Sequence, residues 1–122
     1  MTAFGGPFQE PDSPVYLRLR ATIAAAILRG QYRAGDQLPS VRALAAEHGA
    51  NPLTVAKAYQ SFQADGYVEV RRGVGMFVLP EAADRLRVAE RARFVDQHWP
   101  RIRGYIELLG LDAEELLERA PA

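Results

Sequence analysis

The stretch EHGANPLTVAKAYQ, residues 47–60, leaves this chain few folds to choose from. Gly49 stops one helical pattern, and two residues later Asn51 and Pro52 start another. Asn51 can accept a hydrogen bond from the unsatisfied N–H groups of a first helical turn. Pro52, at the first helical position, gives up a donor that has no intrahelical partner anyway. The glycine lets the chain reverse tightly between them. The upstream helix, SVRALAAEHG, is capped by Ser40 and sends Val41, Leu44, Ala45 and His48 inward and Arg42 outward. The downstream helix runs from Pro52 to about Asp65 and is stopped by Gly66. At about 100° per residue, Val55, Tyr59 and Phe62 share one side of it. Leu53, Lys57 and Gln60 share the opposite side, with Thr54 and Ser61 on the flank. One side can anchor in a core and the other can face a partner.

The flanking segments complete the architecture. VYLRLRATIAAAILRG places Tyr16, Leu19, Ile23, Ala26 and Ile27 on one stripe, with Ser13 as cap, Pro14 as first residue and Gly30 as stop. QYRAGDQLP reads as a turn and a short extended piece. YVEVRRGVGMFVL alternates with period two across an Arg-Gly-Val-Gly turn, which signals a hairpin. The expected fold class is mainly α with a small β-hairpin: a winged helix-turn-helix domain over 15–79, after a flexible arm over 1–14, and followed by a two-helix segment over 80–122. In that last segment Val88, Ala92, Val95, Trp99, Ile102, Ile106 and Leu109 step by four and three, an apolar heptad seam. Pro100 interrupts its hydrogen bonding, and because the seam keeps its phase on both sides a kink is expected rather than a break. Gly110 ends that helix, and Asp112 with Glu115 makes a capping box for a short final one. This apolar stripe is expected to dimerise, with packing on the chain's own domain as the alternative.

Composition narrows function chiefly by exclusion. The chain has 122 residues and no cysteine, so thiolate chemistry, disulfides and zinc–thiolate sites are out. No apolar run reaches the roughly 20 residues that span a bilayer, and the N-terminus does not read as a secretion signal, so a cytoplasmic protein without a membrane partner is expected. Net charge is zero but unevenly spread. Residues 15–79 carry eight basic groups against four acidic ones, whereas 80–122 carry seven against nine. That asymmetry suits an anionic partner, although ordinary charge scatter accounts for it equally well. His48 and His98 stand 50 residues apart with no carboxylate spacing that would make a metal or catalytic site. The acids Glu114, Glu115 and Glu118 read as a solvated face. No phosphate loop or nucleophile elbow is present, so neither an enzyme, nor a cofactor, nor a metal is expected.

A helix-turn-helix places its second helix in a DNA major groove, where Thr54 and Lys57 can reach phosphates or base edges and the helix N-terminus favours a phosphate. In the hairpin, Arg71 and Arg72 add positive charge, and Gly73 and Gly75 let backbone approach a groove; read alone, this motif fits a solvated turn, with glycines for geometry only, better than a DNA contact. The segment GDQLPSVRALAAEHGANPLTVAKAYQSFQADGYVEVRRGVGMFV resembles the DNA-binding domain of the GntR family of bacterial transcription regulators, over about Val15 to Leu79. The resemblance rests on LPSVR, NPLTV followed by AYQ, GY, and RGVGMFV. It implies that Arg42, the residues opening helix 52–65 (Asn51, Pro52, Leu53, Thr54) and the wing glycines contact a double-stranded operator. It also implies a homodimer on a two-fold site. Leu53 stands where relatives often carry a polar residue, which suggests contact with a thymine methyl. Met76 stands where relatives often have threonine. The short tail resembles that of the YtrA subfamily, whose helical tails dimerise. The expected function is therefore a sequence-specific repressor. A small-molecule effector would act at the tail or where the tail meets the wing domain. The rival reading is a winged-helix module that docks a protein and never reads DNA.

Overall fold

The structure is a computed structural model and describes residues 14–119. The expected arm, apart from Pro14, and the Ser13 cap lie outside those residues. The chain divides after Val88 into two compact units.

In the first unit, helix α1 (Val15–Leu28) has Pro14 as its N-cap rather than its first residue. The Pro14 carbonyl accepts from the N–H groups of Leu17 and Arg18 at 3.0 and 3.2 Å, so the helix opens with no side-chain cap. Its buried surface is wider than the stripe expected from spacing. Leu19, Ala21, Ile23, Ala24, Ala25 and Ile27 are buried, while Tyr16 and Ala26 are only half-buried. The alanines explain the difference: they present no bulk and lose no side-chain entropy, so neighbours can close on the helix from more than one side.

Helix α2 (Val41–His48) is capped by Ser40, whose hydroxyl accepts from the Ala43 N–H at 3.0 Å, and Gly49 ends it in the left-handed region at φ 61°. Helix α3 (Pro52–Ala64) follows, and its two sides divide as its sequence requires. Val55, Ala58, Tyr59 and Phe62 are buried, while Leu53, Lys57 and Gln60 are exposed. Strands β1 (Val68–Arg71) and β2 (Gly75–Val78) pair antiparallel, Val68 opposite Val78 and Arg71 opposite Gly75. The extended piece before α2 runs along the far side of β2 through a bridge between Gln37 and Phe77. There the Leu38 N–H donates to Met76 O and the Gly35 N–H to Val78 O, both at 2.8 Å. One apolar cluster joins these elements: Leu19, Ile23 and Ile27 of α1, Leu44 of α2, Val55 and Phe62 of α3, and Tyr67, Val68 and Val78 of the wing. Helix α4 (Ala82–Arg93) closes it with Ala82 and Leu86. Burying side chains of this size contributes about 1.5–3 kcal/mol each.

The second unit continues α4 through a π-helical turn (Phe94–His98) into helix α5 (Trp99–Leu109), and ends with helix α6 (Ala113–Glu118). The helix runs on through Pro100 rather than breaking there. Arg93, His98 and Trp99 all keep right-handed helical φ and ψ, and the Trp99 N–H reaches back five residues to the Phe94 carbonyl. A wide turn in front of the proline absorbs its missing donor. A π turn adds a residue to the helical repeat, which shifts the phase of the side chains that follow it. Asp112 caps α6 through the N–H of Glu114 at 2.9 Å, rather than through that of Glu115. Neither α5 nor α6 has a buried residue.

Candidate nucleic-acid interface

Helix α3 is held firmly along the side that faces its own domain. Arg20 of α1 donates to the Ser61 hydroxyl at 2.7 Å, forms an ion pair with Asp65, and lies over the Phe62 ring at 4.9 Å. Ser61 therefore turns toward α1. At the helix C-terminus, Arg85 of α4 donates to the carbonyls of Asp65 and Gly66, both at 2.8 Å, which satisfies acceptors that a helix end leaves open. On the inner side, the Tyr59 hydroxyl donates to the Pro39 carbonyl at 2.7 Å and so ties α3 to the segment entering α2. Burial, helped by nearby Tyr32 and Glu47, pushes this phenol well above its usual range, so it remains a donor at ordinary pH. Tyr32 is shifted the same way, by burial first and Glu47 second.

The other side of α3 is open. Asn51 accepts from the Leu53 N–H at 2.8 Å, and the Leu53 side chain is 79% exposed. An apolar side chain so exposed in a first helical turn has no role in this chain's core. Thr54 is half-buried. The Lys57 ammonium sits 4.0 Å above the Tyr16 ring, a cation–π arrangement that holds it beside the N-terminal turn of α1. Arg42 is exposed in the first turn of α2 and makes no hydrogen bond or ion pair among the described residues.

The two wing arginines differ. Arg71 donates to Glu69 at 3.1 Å and lies 4.1 Å over the Phe77 ring, so it is held on the wing itself. Arg72, at the turn, makes no such contact among the described residues. The two wing glycines differ as well. Gly73 has φ 76° and open space where a side chain would stand. A Cβ on Gly75 would lie 2.3 Å from the Gln37 amide nitrogen. Gly75 is thus favoured by its own backbone, at φ 147°, and a side chain there would displace the Gln37 amide, which spacing along the sequence had no means of showing. Tyr16, Arg20, Gln37 and Arg85 were likewise missed as residues shaping this surface. Only the cationic character of two of them was visible beforehand.

Among the described residues no group of His, Asp and Glu is arranged to hold a metal ion, and no helix is long and apolar enough to cross a membrane. The expected tail seam is largely exposed: Val88 at 70%, with Ala92, Val95, Trp99, Ile102 and Leu109 also exposed and Ile106 half-buried. The buried polar residues of the tail are Glu90, 3.9 Å from Arg93, and His98, whose Nδ1 lies 3.4 Å from Arg101.

Comparison with known proteins agrees with this geometry. The model of the family described as bacterial regulatory proteins, gntR family, matches residues 15–78. YhcF of Bacillus subtilis, described as an uncharacterized HTH-type transcriptional regulator, is 32% identical over 117 residues, covering 89% of this chain and 88% of its own. The HTH-type transcriptional repressor YtrA of the same organism is 38% identical over 75 residues, covering 62% and 58%. A transcriptional regulator from Oenococcus oeni has a similar solved structure, with TM-score 0.66, 30% identity and 90% of each chain covered. The chain therefore belongs to the gntR family of bacterial regulatory proteins, with YtrA among its relatives, and is a winged-helix transcription regulator with a DNA-binding domain rather than an enzyme.

Proposed function

We propose that this regulator is a repressor that binds a two-fold symmetric DNA operator as a homodimer. The observation that carries the reading is the open side of α3. Leu53, Thr54 and Lys57 sit at its leading end, with Arg42 and Arg72, which make no hydrogen bond or ion pair among the described residues, on neighbouring elements. In this arrangement α3 enters the major groove. Arg42 and Lys57 hold phosphate or guanine, Leu53 meets a thymine methyl, and the wing turn with Arg72 and Gly73 lies along the flank. Asn51 and Pro52 set where the helix begins, and so which side chains reach the bases first. Residues 15–79 act as the reading head and 80–122 as the pairing segment, through the exposed apolar side chains of α5 and its approach. Relief of repression by a small molecule belongs to the same proposal, with no residue assigned to it.

The rival reading, a protein-docking winged helix, gains one observation: Leu53, Val70 and Val74 are apolar and exposed beside the cations. Sequencing the duplexes that the intact chain retains from a random pool separates the two. A palindromic sequence supports the operator reading, and no enrichment supports the docking module.

A further inference from the structure

The turn that carries Arg72 is not held by the hairpin alone. Within the turn, the Val74 N–H donates to the Arg71 carbonyl at 2.9 Å. The Val74 carbonyl is taken by a residue 37 positions away: the Gln37 side-chain amide donates to it at 2.9 Å. Gln37 is fixed for this task by its backbone, which bridges to Phe77 on β2, and by the bond from Leu38 to Met76 beside it. The space its amide crosses is the space a side chain at position 75 would occupy. A Cβ there would lie 2.3 Å from Nε2 and 3.2 Å from Cδ, and Gly75 adopts φ 147°. A three-residue loop with a glycine on either side of Val74 has little of its own to stiffen it. With both the N–H and the carbonyl of Val74 tied down, the orientation of the Arg72–Gly73 peptide is set.

We propose that Gln37 is the wing-positioning residue of this regulator: its amide locks the turn so that the Arg72 guanidinium is presented to the flank of the bound DNA. This rests on the reading of the wing as a DNA-contacting element. The chemistry requires a neutral donor of this length. An ionised glutamate has no N–H and would set a negative charge against a carbonyl oxygen, and asparagine is one methylene shorter. An exposed hydrogen bond of this kind adds little to global stability, so its value lies in the geometry it fixes.

The test uses the intact chain with Gln37→Ala, Gln37→Glu, Arg72→Ala and the Gln37→Ala/Arg72→Ala double variant. Nitrogen-15 relaxation without DNA should show faster motion at Arg72, Gly73 and Val74 in both Gln37 variants, with α3 unchanged and the same melting temperature. With the duplex that the wild-type chain selects from a random pool, Gln37→Ala and Arg72→Ala should each weaken binding about tenfold. Both should lose backbone protection at the flank while keeping it over the major-groove half-site. The double variant should bind like either single one, because the two residues act as one device. Additive losses, unchanged binding by Gln37→Ala, or a wing turn as rigid as wild type would each overturn the proposal. Should the wild-type chain select no duplex, the DNA reading falls and this role with it. The relaxation data would still tell whether the brace itself is real.

Discussion

The two units handle apolar surface in opposite ways. In the first, Leu19, Val55 and Phe62 are fully buried, and even a surface helix such as α3 hides one whole side. In the second, α5 and α6 bury nothing, and Leu108 and Leu117 are 78% and 86% exposed. Both units are helical, so helix formation alone does not separate them. What separates them is whether the chain supplies its own cover. The first is a domain whose stability comes from internal packing; the second leaves apolar side chains exposed, the surface that the proposed homodimer would use.

That contrast can be broken most severely at Phe62. Phe62→Ala should cost about 3–5 kcal/mol and unfold the first unit near room temperature, seen as loss of the cooperative transition in thermal circular dichroism. Trp99→Ala should act in the other way. The melting of the first unit stays within a degree or two, while association weakens by about 2–4 kcal/mol, as for an interface anchor. A variant still dimeric at low micromolar concentration by sedimentation would place the interface elsewhere. Arg42→Ala should leave both units folded and dimeric. It should weaken duplex binding by about 1–3 kcal/mol if the guanidinium meets guanine, or lower the salt slope by roughly one unit if it meets phosphate. Equal affinity and selectivity would show that the recognition surface is misplaced.

The smallest effect is expected at Tyr59. Tyr59→Phe removes one hydrogen bond to Pro39 and should cost about 1 kcal/mol at neutral pH. The pH dependence follows from the raised phenol. The fold favours its neutral form, so this stability is complete below the unfolded phenol's ordinary value of 10.0 and is lost as pH climbs through the higher folded value. Wild type should therefore lose stability above pH 10.0 more steeply than the phenylalanine variant, measured by denaturant titration at each pH.

Local signals were the legible ones. Ser40, Gly49, Asn51 and Pro52 announce the helix-turn-helix because capping and left-handed turns depend on one or two residues at a time. The division of α3 into Val55, Tyr59 and Phe62 against Leu53, Lys57 and Gln60 follows from helical period alone. The extent of the α1 core was harder, since Ala21, Ala24 and Ala25 carry no periodic bulk and become core only when neighbours close on them. The π turn before Pro100 was invisible, because a one-residue offset leaves the heptad spacing untouched on paper while rotating the helix in space. In the candidate interface, Arg42, Lys57 and the wing cations stood out by charge. The Gln37 brace joins residues far apart in the chain, and the glycine that makes room for it was read as an approach to DNA.

Arg85 carries a last consequence. Its guanidinium grips the two carbonyls at the end of α3, and a Cβ on Gly66 would come within 3.1 Å of it, so the glycine is a socket shaped for that side chain. Arg85 rides on the first turns of α4, the helix that runs on toward the tail. The trailing end of α3 and the leading end of α4 are therefore pinned to each other by one side chain. Losing the Arg85 guanidinium would free two carbonyls at the end of α3 while leaving every side chain on its open side in place.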